Sequence, residues 1–160
     1  MTKYEWLLSL HVTGAFLFLG GVVVAWVLGI AAARRKLPSE IALLLRLTGA
    51  AAAAIGVGLL LTIVFGLWLV FDLDFYDLWD GWILASLVMW VLSGALGGAG
   101  GKRDKETRLL AERLAAGGDT PSGELQARVR DPVALSLNLA SSLLGIAILV
   151  LMIWKPGAGG

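Results

Sequence analysis

The sequence predicts an all-α membrane protein, a bundle of four transmembrane helices forming one domain over residues 1–160. Of the 160 residues, 58% are hydrophobic and only 16% are charged. Ordinary soluble domains carry about 25% charged residues. The charged residues of this chain also cluster between long apolar segments. A small soluble domain needs a largely polar surface, and its interior could not bury so many apolar residues.

Four segments are long enough to cross a membrane, for which a helix needs about 20 apolar residues. They cover residues 6–33, 47–71, 79–98 and 132–154. Basic residues follow the first segment instead of preceding it, which indicates a retained helix and not a cleaved signal peptide. Ser39 is expected to cap the helix leading into the second segment, after a stop at Pro38. Asp131 and Pro132 are typical of a helix start.

Basic residues predict the orientation of the helices, because they are enriched in cytoplasmic loops. Two connections hold 11 of the 13 Lys and Arg residues: Arg34, Arg35, Lys36 and Arg46 in the first, and Lys102, Arg103, Lys105, Arg108, Arg113, Arg128 and Arg130 in the connection 101–131. The intervening connection carries instead the acids Asp72, Asp74, Asp77 and Asp80. We therefore expect a multi-pass protein of a bacterial-type inner membrane, with both termini extracytoplasmic.

The basic connection 101–131 is expected to contain a short amphipathic helix. Leucines at 109, 110 and 114 lie among charged residues over residues 104–116, and Gly117 and Gly118 follow as a helix stop. Residues 124–130 are predicted to form a further turn or two. This helix would either lie on the inner headgroups, with its basic residues toward anionic lipid, or dock a protein partner.

Small residues spaced by four predict close contacts between helices, because packing replaces the hydrophobic drive inside a bilayer. The sets are Gly21, Ala25 and Gly29; Gly49 and Ala53; Ala52 and Gly56; Gly94 and Gly98; Ser136 and Ala140; Ser141 and Gly145. Their presence in all four segments favours a compact bundle. The pattern does not separate contacts within the chain from those of a homodimer or a larger membrane complex.

Aromatic residues cluster toward the predicted outer ends of the helices. They are Tyr4, Trp6, Trp68, Tyr76, Trp79, Trp82 and Trp154. Aromatic rings with one polar edge favour the headgroup level, so we interpret these residues as a membrane-interface belt.

His11 is the only histidine and the one side chain that could carry chemistry. A helical stripe places it with Gly14 and Phe18, facing the interior of the bundle. Its imidazole could ligate haem iron or a metal, or transfer a proton. It could instead donate a structural hydrogen bond to a carbonyl, or to a Ser, Thr or Asn side chain, of a neighbouring helix. The side chains available on the last helix are Ser136, Asn138, Ser141 and Ser142, of which Asn138 starts near the cytoplasmic end.

A second ligand for a metal would have to come from methionine or from another copy of the chain, since cysteine is absent. Met152 is predicted at a depth similar to that of His11, whereas Met89 lies closer to the middle of its helix. Two copies of His11 could also meet across a dimer. No nucleophile–His–acid set and no phosphate-binding loop is present, and the net charge of +1 suggests no nucleic-acid partner.

The segment that reads LHVTGAFLFLGG, residues 10–21, resembles the first helix of the copper-resistance-protein-D-like group of bacterial membrane proteins. The similarity is greatest to an uncharacterised four-helix branch of that group, and it also involves residues 66–68 and 82–94. The group is in turn similar to the bacterial haem-binding protoporphyrinogen oxidase. The resemblance implies that His11 matches a histidine involved in haem binding. That family adds a lysine inside a later helix, whereas Lys102 here lies beyond the third segment.

Two functions follow as expectations from the sequence. One is a structural or accessory subunit of a membrane assembly, which needs no special residue and is therefore not expected to be an enzyme. The other is a redox protein that binds haem b or a metal through His11, with Met152 as a further candidate ligand. In both cases the lipid bilayer is the surrounding medium.

Overall fold

The computed structural model describes residues 2–72 and 78–156, and within these residues it contains helices and no strand. The helices are α1 (Lys3–Ala33), α2 (Pro38–Asp72), α3 (Gly81–Ala116), α4 (Gly123–Val129) and α5 (Pro132–Trp154). Four helical stretches, the last of them residues 123–154, are long and apolar enough to cross a membrane. The prediction of an all-α protein with four membrane-spanning helices is confirmed. Asp74, Asp77 and Tyr76 lie outside the described residues.

The helix starts are fixed by side chains that accept hydrogen bonds from free backbone N–H groups. At α5, the Asp131 carboxylate accepts from the N–H of Val133 at 3.0 Å, and Pro132 occupies the first turn, as the sequence predicts. The expectation for α2 is wrong, because the helix begins at Pro38 and already contains Ser39. The cap comes from a distant residue: Asp119 accepts hydrogen bonds from both the N–H and the hydroxyl of Ser39.

The segment predicted as a separate amphipathic helix, residues 104–116, is the continuation of α3. No proline interrupts the chain between the apolar and basic parts of this helix, and residues 102–116 are rich in strong helix formers. The 36 residues of α3 therefore form one helix. The short helix α4 covers most of the residues where a further helical turn is expected.

The four long helices form a closed bundle made of two pairs. Helices α1 and α2 form the first pair, α3 and α5 form the second, and α2 also contacts α3. The bundle is closed between α1 and α5, where the Trp26 indole donates a hydrogen bond to the Ser142 hydroxyl at 3.1 Å. Phe18 of α1 also lies directly against Gly145 of α5.

The two basic connections lie together at one end of the bundle, which we call the basic end. A small apolar core joins them and consists of Ile41, Ala42, Ala111 and Leu125, with Leu45, Leu110, Leu114 and Val129 around it. Two side chains of the α4 region, Gln126 and Arg130, donate hydrogen bonds to the last carbonyls of the α1 region, those of Arg35 and Ala33. Of the leucines within residues 104–116, Leu110 and Leu114 are thus packed against protein, whereas Leu109 is exposed.

The small-residue pattern predicts some helix contacts and misplaces others. A Cβ atom added to Gly21 would lie 3.0 Å from the carbonyl oxygen of Ala51, so α1 and α2 approach closely there, and Gly145 is in contact with Phe18. Gly29, Gly56, Gly94 and Gly98 make no such contact within the chain, because a Cβ at any of these positions would meet nothing within 4 Å. On α3 the contacts are made instead at Gly97 and Gly100.

Candidate functional site

A cavity of about 290 Å³ lies between the four long helices at the end opposite the basic connections, which we call the cavity end. Most of its wall is apolar. Its polar and aromatic lining residues come from every long helix and from the residue after α5: Tyr4, His11, Thr62, Trp82, Ser86, Trp90, Met152 and Lys155. An apolar cavity with a few polar groups is the usual form of a small-molecule site in a protein.

The position of the lining residues along their helices gives the depth of the cavity. Lys3 forms an ion pair with Asp72 at the cavity end, and the Lys155 ammonium lies 5.9 Å from the ring centre of Trp82. His11 is eight residues further along α1 than Lys3, and Trp90 is eight residues beyond Trp82. At 1.5 Å per residue, both lie about 12 Å deeper in the bundle. His11 and Trp90 therefore belong to the inner part of the cavity.

His11 is held by α2 through one ring nitrogen. Its Nδ1 lies 2.8 Å from the carbonyl oxygen of Thr62. Because a carbonyl can only accept a hydrogen bond, Nδ1 must carry the proton, and in the neutral ring Nε2 is then the basic nitrogen. Gly66 makes room for this arrangement, since a Cβ there would lie 2.9 Å from both Nδ1 and Cε1 of the imidazole.

The side chains of α5 that the sequence offers as partners for His11 bind elsewhere. Ser141 bonds to Ser93, Asn138 to Asp104, and Ser142 to Trp26. The hydroxyl of Ser136 donates to a carbonyl of its own helix. Of the hydrogen-bond partners expected for His11, the one found is a carbonyl of a neighbouring helix, that of Thr62 on α2.

The interior position predicted for His11 is confirmed: the ring is half-buried and lines the cavity, and Gly14 and Phe18 of the same stripe are buried. Met152 lines the same cavity, whereas Met89 is not among the lining residues. Within residues 2–72 and 78–156, no group of three or more His, Cys, Asp or Glu side chains could hold a metal ion.

Trp90 is one of the lining residues that the sequence alone does not identify. Its indole nitrogen is buried and has no hydrogen-bond partner among the described residues. Buried N–H groups are rarely left without a partner, because this costs free energy. The spacing of residues 82, 86 and 90 would have been the signal, since positions four apart share one helix face.

Trp82 departs from the predicted belt. Trp6, Trp68, Trp79 and Trp154 are exposed at the cavity end, as a membrane-interface belt requires, but Trp82 is only 8% exposed. Its ring forms part of the cavity wall and supports the side chain of Lys155. The same cation–ring arrangement recurs next to it, where Lys3 lies 6.0 Å from the ring centre of Trp68.

Comparison with known proteins finds one family. The model of the family described as "Predicted integral membrane protein (DUF2269)" matches residues 5–156. The match includes all four long helices almost completely, together with the cavity-lining residues from His11 to Lys155. No curated protein and no solved structure matches the chain significantly.

Proposed function

The chain belongs to the family of predicted integral membrane proteins DUF2269, and we propose that its function is to bind a small lipid-soluble molecule in the cavity at His11. The description of the family names no activity, so the proposal rests on the site. The observation that carries it is the arrangement of His11, which lines an apolar cavity while α2 fixes its ring through Nδ1 alone. An ionisable side chain placed inside a membrane bundle is costly and is typically functional.

A cavity-filling substitution tests ligand binding. Leu87 lines the cavity, and Leu92 on the same helix is exposed. We expect wild-type protein and Leu92→Phe to retain a small molecule in native mass spectrometry after mild solubilisation, and Leu87→Phe to release it. Thermal unfolding of both variants checks that they fold. A wild-type protein that carries no small molecule, or an Leu87→Phe variant that retains it, contradicts the proposal.

Haem b is the occupant that the resemblance to the copper-resistance-protein-D-like group suggests, and the donor atoms fit it. A neutral imidazole whose Nδ1 donates to a carbonyl is the usual form of an iron or metal ligand. Met152 on the same cavity wall offers a thioether. The cavity, at about 290 Å³, lies just below the range of roughly 300–1,000 Å³ that encloses drug-sized ligands. His11 and Met152 are the residues that would hold haem there, and the haem would supply one-electron chemistry.

A visible spectrum tests the haem proposal. We expect a Soret band that is lost in His11→Ala and altered in Met152→Leu, with Met89→Leu as the matched control outside the cavity. A colourless preparation of folded protein from haem-replete cells would exclude haem as the occupant. It would leave other lipid-soluble ligands for the cavity.

The orientation predicted from the basic residues completes the proposal. We propose that the basic end faces the cytoplasm of a bacterial-type inner membrane and that the cavity end faces outward. The side chains that join the two basic connections support a common side for both. An alkaline phosphatase fusion at Gly160 should be active and one at Gly118 inactive. The reverse activities would overturn the orientation.

The accessory-subunit function stays a prediction. The large apolar side chains exposed on the long helices are those that a lipid surface requires, so they do not by themselves indicate a partner protein or a homodimer. Co-purification of a stoichiometric partner in mild detergent would support the accessory function. A particle containing one chain would contradict it.

A further inference from the structure

We propose that the cavity selects a lipid-soluble ring bearing one hydroxyl donor and one oxygen acceptor, the chemistry of a hydroquinone. This inference rests on the proposed ligand-binding function and names the class of ligand. It follows from the hydrogen-bonding capacity of the inner cavity, where His11 and Trp90 are the two groups that a ligand must satisfy.

His11 offers an acceptor to the cavity. The carbonyl of Thr62 engages Nδ1 as a donor at 2.8 Å, which leaves Nε2 of the neutral ring with a lone pair and no proton. No second hydrogen bond of this ring is formed among residues 2–72 and 78–156. A ligand that reaches Nε2 must therefore supply a proton, as a hydroxyl does.

Trp90 offers a donor. An indole N–H can only donate, and in the described part of the chain this one is buried without an acceptor. His11 and Trp90 lie on different helices, α1 and α3, and line the same cavity. A ring with oxygens on opposite sides could accept from Trp90 and donate to His11 at the same time.

The other hydroxyls of the inner cavity are already engaged. The Thr62 hydroxyl donates to the Gly58 carbonyl at 2.8 Å, and the Ser86 hydroxyl donates to the Trp82 carbonyl at 2.8 Å. The remaining wall is mainly aliphatic and aromatic, which suits the faces of a ring and an alkyl tail. The donor–acceptor demand is thus set by His11 and Trp90.

This demand distinguishes the two redox states of one ring. A hydroquinone has hydroxyls that can both donate and accept, whereas the oxidised quinone has only acceptors. The quinone can satisfy Trp90 but leaves Nε2 of His11 unpaired in an apolar site. An unpaired buried polar group typically weakens binding about 5- to 150-fold, so the reduced ring should bind more tightly by a factor in this range.

The test is calorimetric titration of the full chain in lipid nanodiscs under anaerobic conditions. The probes are decylbenzohydroquinone, decylbenzoquinone and decylbenzene, which share one tail and differ in their oxygens. We expect the hydroquinone to bind at least fivefold more tightly than the quinone. Trp90→Phe should weaken hydroquinone binding at least fivefold, while Trp79→Phe, which changes an exposed tryptophan outside the cavity lining, should leave it unchanged. His11→Leu should abolish the preference for the reduced ring.

Equal affinity for the two redox states, or equal binding by Trp90→Phe and Trp79→Phe, would overturn the inference. If all three probes bind equally and Leu87→Phe abolishes their binding, the cavity binds lipid-soluble ligands but does not distinguish them by their oxygen atoms. In that case the proposed function stands and the ligand class is wrong. If no probe binds to folded wild-type protein, the inference fails and the proposed function loses its support.

Discussion

The two helix pairs of the bundle are held together by different means, although both lie in the same apolar environment. In the pair α1–α2 the backbones touch: a Cβ on Gly14 would lie 2.7 Å from the backbone nitrogen of Thr62, and Gly58 lies directly against the backbone of Phe18. The contact depends on the absence of side chains at glycine. It is the close approach that small residues permit between helices in lipid.

The pair α3–α5 is joined by side-chain hydrogen bonds, and its contact glycines, Gly97 and Gly100, lie against side chains and not against backbone. The hydroxyls of Ser93 and Ser141 each donate to the backbone carbonyl of the other residue, at 3.0 and 2.8 Å. Toward the basic end, the Asn138 amide donates to the Asp104 carboxylate at 3.0 Å. Each bond can be removed without a clash, because an alanine is smaller than the residue it replaces.

The two helix pairs should therefore respond differently to substitution. The glycine contact of α1–α2 should fail abruptly when one methyl group is added, whereas the polar contact of α3–α5 should weaken by small steps. The cavity lies between the two pairs and takes lining residues from both. A change in either pair can therefore alter the cavity without touching its wall.

The largest effect is expected from Gly58→Ala. The added Cβ would overlap the backbone of Phe18 and lie 2.7 Å from the carbonyl oxygen of Gly14, so α1 and α2 must separate. Overpacking of this kind costs roughly 1–3 kcal/mol. The free energy of unfolding in mixed micelles measures it. Gly56→Ala is the matched control, because a Cβ there meets nothing within 4 Å, and it should be neutral or slightly stabilising. Equal effects of the two substitutions would contradict the glycine contact.

This contrast also shows how much of the fold can be predicted from the sequence. Apolar length and basic residues predict the helices and their sequence order, because these depend on local composition. The small-residue pattern points equally to Gly21, which contacts the neighbouring helix, and to Gly56, which does not, since spacing alone does not tell which side of a helix faces its partner. Ala54 and Gly58 are also four residues apart, but they are not among the predicted sets, and so Gly58 is missed.

The same limit applies to the candidate site. His11 is predictable because a single histidine in an apolar helix is conspicuous, and Met152 because its depth follows from its position in α5. Trp90 and Gly66 are not predicted, since their role depends on how α2 and α3 are rotated toward α1. That rotation is set by contacts between residues far apart in the chain.

The next largest effect is expected at the link between the pairs. Asp119 has a positive φ of 52° and caps the start of α2 through Ser39. Asp119→Gly keeps the backbone conformation accessible but removes the cap, which should lower the free energy of unfolding by about 1 kcal/mol. Asp119→Asn keeps an acceptor oxygen and tolerates the same φ, so it should retain most of the stability. If Asp119→Gly leaves the free energy of unfolding unchanged, the cap does not stabilise α2.

A smaller effect is expected in the polar pair. Ser93→Ala removes one bond to α5 and should cost about 0.6 kcal/mol, the average for hydrogen bonds between helices in a membrane protein. Ser136→Ala is the control, because its hydroxyl binds only the carbonyl of Pro132 in its own helix. A double-mutant cycle of Ser93→Ala with Ser141→Ala should show coupling. Strict additivity would mean that the two hydroxyls do not act together.

The smallest effect is expected from pH at the basic end. Burial raises the pKa of Asp104, whereas the hydrogen bond from the Val133 N–H, and then Arg103, lower the pKa of Asp131. Because burial disfavours the charged carboxylate, the folded chain becomes less stable as the pH rises through the raised pKa and Asp104 loses its proton. Asp104→Asn should therefore increase stability at neutral pH, by no more than about 0.5 kcal/mol, with no gain once the pH is low enough to protonate Asp104 in both states. Asp131→Asn should destabilise at neutral pH, and a gain there would contradict the assignment.

Phe18 links the two pairs at one point, because its backbone lies against Gly58 of α2 and its ring lies against Gly145 of α5. The volumes at these three positions cannot be varied independently. A larger residue at Gly145 should be tolerated only when Phe18 is shortened, and the paired change should then be far less harmful than the sum of its parts. Substitutions at these three positions should therefore be epistatic. A related sequence that differs at one of them should carry a compensating change at another.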